Sequence, residues 1–402
     1  MKKFQKSLLS VAVVSAATGF TSLSIADEFT EALTSGKAYG DFRLRYEAVD
    51  QDNALKDADG LTLRSRIGYT TGTFNGLSAT IEVEDSRVVA GAEDFNAAGL
   101  NNNGTYSVIA DPETTELDQG YIQYKTDSLT LKAGRQVITY DGHRFVGHVG
   151  WRQDRQTFDG FTLQATPAKG LTINYGFIDE RNRIFAEDRD IDSKDHLFNV
   201  SYDTAIGKLV GYSYLLEDED ADVELDTYGA SLTGAADISE GTKLLYSIEY
   251  ATQENETTDI DTDYMLVEAG VAVSGITAKL GYEVLGSDDG MGGFATPLAT
   301  LHKFNGWADQ FLATPAQGLK DAYVSVSGKL AGGAWAVVYH DYEADEDTAT
   351  IDDFGDEINI SYAKKFGKHY SAGIKYAAYD AGDTATGKVD TDKLWVWVGF
   401  SF

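Results

Sequence analysis

A period of two constrains this chain more than any other feature. From Tyr39 onward, one segment after another alternates apolar with polar side chains, each segment running about ten residues. The first sets Phe42, Leu44, Tyr46 and Ala48 against Asp41, Arg43, Arg45 and Glu47. The second sets Leu61, Leu63, Ile67 and Tyr69 against Thr62, Arg64, Arg66 and Thr70. In the third, Leu77, Ala79, Ile81 and Val83 oppose Ser78, Thr80, Glu82 and Glu84. A strand points successive side chains to opposite faces, so each segment reads as a strand with one dry side and one wet side.

The pattern continues at residues 117–126, 129–137, 157–166, 171–180, 196–203 and 208–216. It resumes at 225–235, 242–252, 263–273, 276–285, 319–328, 334–342, 356–365, 370–379 and 392–402, about eighteen strands in all. Strands of a soluble sandwich are nearer five or six residues, whereas about ten suit a tilted strand crossing a bilayer. Connections alternate too. Short turns near Asn75-Gly76, Asp127-Ser128, Ala168-Lys169-Gly170, Ala205-Ile206-Gly207, Ser239-Glu240-Gly241, Ser274-Gly275, Gly332-Gly333 and Phe366-Gly367 take turns with longer polar loops. The expected fold is therefore all-β: a transmembrane antiparallel barrel with short periplasmic turns and long extracellular loops.

Forty-one Gly and only four Pro suit such a chain, because proline has no N–H for a neighbouring strand. Pro112, Pro297 and Pro315 fall in loops and Pro167 in a turn. Tyr69, Tyr124, Tyr175, Tyr202, Tyr250, Tyr282 and Tyr362 end apolar faces, as in an aromatic girdle. The last segment carries Leu394, Val396, Val398, Phe400 and Phe402 on one face. A terminal aromatic strand of that kind resembles the signal read by the barrel assembly machinery, which makes Phe402 its expected contact.

At the other end, Lys2, Lys3 and Lys6 precede an apolar stretch from Leu8 to Thr18, and Ser24 and Ala26 are small. This predicts a cleaved signal peptide over 1–26 and a single barrel domain over 27–402. The leader and the barrel together predict the outer membrane of a Gram-negative cell, in contact with the lipid bilayer and lipopolysaccharide.

The formal net charge of −31 repels nucleic acid. The chain has no cysteine, which excludes disulfides, thiolate metal sites and a cysteine nucleophile. No zincin helix or nucleophile elbow occurs, and the six histidines are scattered, so no catalytic residue, metal or cofactor is expected. Acidic loop runs such as Glu217-Asp218-Glu219-Asp220 lack the glycine and terminal glutamate of a calcium loop and read as a solvated rim.

Basic residues gather on the early polar faces and in the third long loop: Arg43, Arg45, Arg64, Arg66, Lys132, Arg135, Arg144, Arg152 and Arg155. Acids share those faces, among them Glu82, Glu84, Asp118, Asp159, Glu249, Glu268, Glu283 and Asp321. Two readings stand side by side. Arginine forks form a ladder for a polyanion, or the arginines and acids neutralise one another across a wet bore.

Three stretches are similar to the outer-membrane alginate export family. One runs Gly134-Arg135-Gln136-Val137, Arg144-Phe145-Val146-Gly147, Trp151-Arg152-Gln153 and Thr157-Phe158-Asp159-Gly160. Another runs from Thr296 to Asp309 and contains His302, Lys303, Trp307 and Asp309; it is the most specific, since a loop has no packing reason to hold it. The third is Arg43-Leu44-Arg45-Tyr46 with Leu63-Arg64-Ser65-Arg66. The resemblance implies an eighteen-stranded barrel with an arginine-lined conduit for uronate polysaccharide. Carried over position by position, Arg45, Arg64, Arg66, Arg135 and Arg152 become conduit residues and Asp159 an acidic partner. The periplasmic turns are too brief for the plug of a regulated exporter. The leading expectation is thus a channel for an anionic, alginate-like saccharide, in either direction. A general or nutrient-uptake porin for small solutes is the alternative, and a structural or adhesive barrel the third.

Overall fold

The computed structural model describes residues 22–402. All but the last few residues of the expected signal peptide therefore lie outside the described residues. A helix α1 (Ser22–Thr34) precedes the strands and runs across the expected cleavage point after Ala26. It docks beside the first turn: Phe29 meets Phe74 edge to face at 5.7 Å, and Gly72 N–H donates to Ala32 O at 2.8 Å. The strand pattern gives no sign of this helix, because it begins only after it.

Eighteen strands follow. They are β1 (Lys37–Gln51), β2 (Ala58–Thr70), β3 (Leu77–Asp94), β4 (Thr114–Lys125), β5 (Leu129–Gln136), β6 (Thr157–Ala168), β7 (Leu171–Asn182), β8 (Ile191–Thr204) and β9 (Gly207–Asp218). The rest are β10 (Val223–Ser239), β11 (Thr242–Asn255), β12 (Ile260–Val273), β13 (Ile276–Leu285), β14 (Leu319–Leu330), β15 (Gly333–Glu343), β16 (Asp353–Phe366), β17 (Tyr370–Asp380) and β18 (Thr391–Ser401). Every strand pairs antiparallel with its sequence neighbours, and β18 pairs with β1, so the sheet closes. Closure leaves no edge, which lipid demands because it cannot hydrogen-bond a bare backbone.

Alternation holds across the wall. Ile67, Ile81 and Ile122 are 57%, 54% and 55% exposed on the outer face, while inward Arg45, Glu47 and Glu84 are buried. Tyr202, Tyr250, Tyr124 and Tyr282 are exposed on the outer face with them. Many strands run past ten residues; β3 has 18, its extra length at the extracellular end, and β10 has 17, lengthened at both ends. The expected loops at 217–224 and 253–262 shrink accordingly to 219–222 and 256–259. Pro167 sits inside the end of β6 rather than in a turn, at a register shift between Ala165 and Ala168 that needs no N–H from it.

Two of the long connections do not stand in solvent. L3 (137–156) and L7 (286–318) turn into the bore. Val146, Phe294, Leu298, Ala308 and Phe311 of these loops join one apolar core with wall residues Tyr212, Tyr264, Tyr342 and Trp395. A third, L2 (95–113), folds over the outer end, where Phe95 and Ile109 pack on Val49 and Ala58. The L7 string thus has a packing reason after all, which corrects the expectation of a bare loop.

Candidate functional site: a constriction and the chamber beneath it

L3 and L7 are bonded to each other and to opposite walls. Gly147 N–H donates to Leu298 O at 2.8 Å, and Thr300 N–H to His143 O at 3.0 Å. No side chain fits at Gly147, because a Cβ there would collide with Thr300. On one side, Arg152 of L3 donates to both oxygens of Glu47 on β1 at 3.1 Å and to Asp309 of L7 at 3.0 Å. On the other, Arg144 of L3 donates to Glu283 on β13 at 2.8 Å, and Asn305 of L7 to Asp321 on β14 at 3.0 Å. The two loops therefore cross the bore and form a constriction.

The basic residues singled out above fall into three places. Most are tied into the constriction. Arg45 is wholly buried and pairs with Glu47 at 3.3 Å and with Asp111 of L2. Arg64 pairs with Asp41, and Arg66 with Glu84 at 3.2 Å. Arg155 donates to Asp118 at 2.9 Å and pairs with Glu82. Arg43 is different: its guanidinium meets only neutral acceptors, Trp151 O at 2.6 Å, Arg152 O at 2.7 Å and Gln153 Oε1 at 3.1 Å. Lys132 stands lower on the wall, over the Tyr121 ring at 4.6 Å.

Arg135 and Asp159 form the third place. Arg135 donates to both Asp159 oxygens at 2.7 and 3.0 Å. Register puts this pair in one row with Ile81 and Gly120, on the face turned away from the bore. Lys132 and Arg135 are an odd number of residues apart, so one strand cannot point both inward. The pair does not line the bore.

Of the L7 string, His302, Trp307 and Asp309 meet in the constriction and Lys303 does not. His302 stacks on Trp151 at 5.0 Å. Its Nδ1 is 2.6 Å from Asp309 Oδ1 and its Nε2 is 2.7 Å from Lys375 Nζ on β17. A lysine can only donate, so Nε2 accepts and Nδ1–H donates to Asp309. Burial pushes the His302 ring down to about 3, so it is neutral at physiological pH. Burial pushes Asp309 up, but the His302 ring, Lys393 and Arg152 outweigh it and hold the carboxyl well below its ordinary range. Gly306 takes φ +87, and a Cβ there would strike Glu357 and Tyr342, so only glycine lets L7 come this close to the wall. Ala308 N–H then donates to Glu357 at 2.9 Å. His143 and His148 meet edge to face at 5.3 Å. Among the described residues no three or more His, Asp or Glu side chains gather as metal ligands would.

Beneath the constriction lies a chamber of about 540 Å³, within the size range of small-molecule sites. Its roof is Arg144, Phe304, Asn305 and Trp307, and its wall runs down β10 to β15 past Ser247, Ser325 and Ser327. Lys303 lines it and donates to Gly142 O at 2.7 Å. Three tyrosine–carboxylate pairs mark this side: Tyr212 OH to Glu249 at 2.9 Å, Tyr264 OH to Glu283 at 2.6 Å, and Tyr323 OH to Glu268 at 2.9 Å.

Sequence reasoning missed Lys375, Lys393, Glu357 and Asp111. Lys375 had a signal: it is the one charge in the middle of its segment. Asp111 had none, since its partner lies far off in sequence.

Comparison with known proteins agrees with this architecture. A family model described as alginate export matches residues 37–283. No curated protein matches the chain. Among solved structures, OccK9 (OpdG) of Pseudomonas aeruginosa superposes with a TM-score of 0.72 at 15% identity, over 92% of this chain and 99% of that one. OpdK of the same organism, crystallised with vanillate, gives 0.70 at 13% identity over 91% and 98%. OccAB1 of Acinetobacter baumannii gives 0.70 at 13% identity over 92% and 97%. At such identities these likenesses speak to the fold.

Proposed function

This chain belongs to the alginate export family and is a porin-like barrel of a Gram-negative outer membrane, and we propose that it passes small, hydroxyl-rich or acidic solutes of saccharide size one at a time. The observation that carries this reading is the bond of L3 to L7 across the bore, which leaves a chamber rather than a straight duct beneath. A chamber lined by hydroxyls, aromatic rings and carboxylates suits a polar solute that exchanges its hydration shell for fixed partners.

A second reading, a continuous conduit for acidic polysaccharide, draws support from Arg43, Arg45, Arg64 and Arg66 on adjacent inward faces. Against it, Arg45, Arg64 and Arg66 already hold a carboxylate, so a passing polyanion must displace an internal partner. As members of channel-type barrels, such chains transport rather than catalyse.

Single-channel recording in planar bilayers tests this. Short oligouronates and disaccharides are expected to interrupt the current, and long alginate is not. Interruption by the polymer alone would favour the conduit, and an electrically silent barrel would favour a structural or adhesive role.

A further inference from the structure

Lys375 is a buried charge to which the transport reading assigns no task. It projects from β17 into the constriction, where its ammonium lies 3.8 Å from the Trp307 ring centre, 4.4 Å from Trp151 and 5.6 Å from Trp395. Those three indoles come from L7, L3 and the β18 wall. Its hydrogen bond goes to His302, which relays to Asp309. A lysine here is an expensive choice. An apolar side chain of the same length would fill the same space without the cost of desolvating a charge. What the ammonium adds is direction: it attracts the faces of all three indoles at once and fixes the His302 ring by a donated hydrogen bond.

We propose that Lys375 is the positioning residue of the constriction. This one side chain bridges Trp151 and Trp307, a ring from each inward loop, and Trp395 of the wall, joining Arg43 and Arg45 at Trp151, and so sets the passage into the chamber that Trp307 roofs. The inference rests on the transport reading. A protein that conducts but ignores Lys375 defeats this proposal alone, whereas a silent protein defeats the transport reading itself.

The test uses Lys375→Met, which keeps length and removes charge. Because the chain has no cysteine, Ala308→Cys places a single thiol on L7 where the parent residue is buried. With Lys375 intact the thiol should resist a water-soluble maleimide. In the Lys375→Met background it should react about tenfold faster or more, since loss of several desolvated cation–π contacts depopulates the seated loops. The open-channel level should shift and become noisier, while the shift of folded barrel on an unheated gel stays as in the parent. Trp307→Ala alone should reproduce the effect, and the double variant should add nothing further. That result separates positioning from a general loss of stability, and it serves if Lys375→Met does not fold. An unchanged open level together with unchanged labelling, or full additivity in the double variant, overturns the proposal.

Discussion

The bore has two sides that obey different rules. Around β1, β2, β17 and β18, charges are buried and paired by cations: Arg45 with Glu47 and Asp111, Arg152 with Glu47 and Asp309, Lys393 with Asp309. Around β11 to β14, phenol hydroxyls reach three carboxylates beside an open chamber; Glu249 has the phenol alone, while Arg144 also holds Glu283 and Lys279 also holds Glu268. An ion pair out of water is costly to break, so the first side is a clamp that fixes loops. A phenol hydrogen bond is cheaper to exchange for another hydroxyl, so the second side can serve a visitor. On the proposed reading, the difference makes the arginines mainly fixers of the loops and puts the solute's partners opposite them.

The comparison breaks most easily at Arg152. Arg152→Ala leaves Glu47 and Asp309 buried beside one fewer cation, a loss of about 3–5 kcal/mol. L3 should then leave its seat, seen as a large rise in conductance and in proteolytic cutting between 137 and 156. Conductance at the parent level would show that the clamp is not what fixes the loop.

Gly306→Ala comes next, at about 1–3 kcal/mol for a side chain forced against Glu357 and Tyr342. It should displace Trp307, read as altered tryptophan fluorescence, with the barrel's heat resistance on gels unchanged.

Acid should also loosen the clamp. The His302 pKa is lowered on folding from 6.5 to about 3, so the unseated loop binds the proton more tightly and seating weakens as pH falls through that window. Asp309, likewise lowered, loses its contribution as pH falls further. Arg152, Lys375 and Lys393 are the basic groups that face the pair. Open-channel noise should therefore grow between about pH 6.5 and 4, and His302→Gln should flatten that part of the profile.

The smallest effect belongs to the other side. Tyr323→Phe removes one hydroxyl from Glu268 and should cost about 0.5–1.5 kcal/mol, mostly in solute block rather than stability. A Tyr323→Phe channel that unfolds more readily yet is blocked just as well would reverse the assignment of the two sides.

Much of this was legible in the sequence. Strand number, turn order and the inward acids Glu249, Glu268, Glu283 and Asp321 follow from counting by twos, because lipid punishes any lapse in alternation. The destination of the loops was not legible. A polar loop satisfies its groups equally well with water or with a wall, and Arg152 carries no mark of which it has chosen. Motif and charge mislead where they are set above parity. Gly134, facing Gly160 across the ladder, has φ +116, and next to them Arg135 and Asp159 point away from the bore. Motif and charge alone had put that pair inside.

Closure of the sheet has a further consequence. The strands joined at the seam, β1 and β18, are the first and last of the barrel, and the loops draw their grips from both. Arg43 and Arg45 hold L3 from one, while Lys393 holds Asp309 from the other. Until the two ends of the sheet meet, the grip of β1 on L3 and that of β18 on L7 are not brought together. Zipping the seam and furnishing the interior are thus coupled, and a chain shortened by its final strand would lose part of its constriction together with its wall.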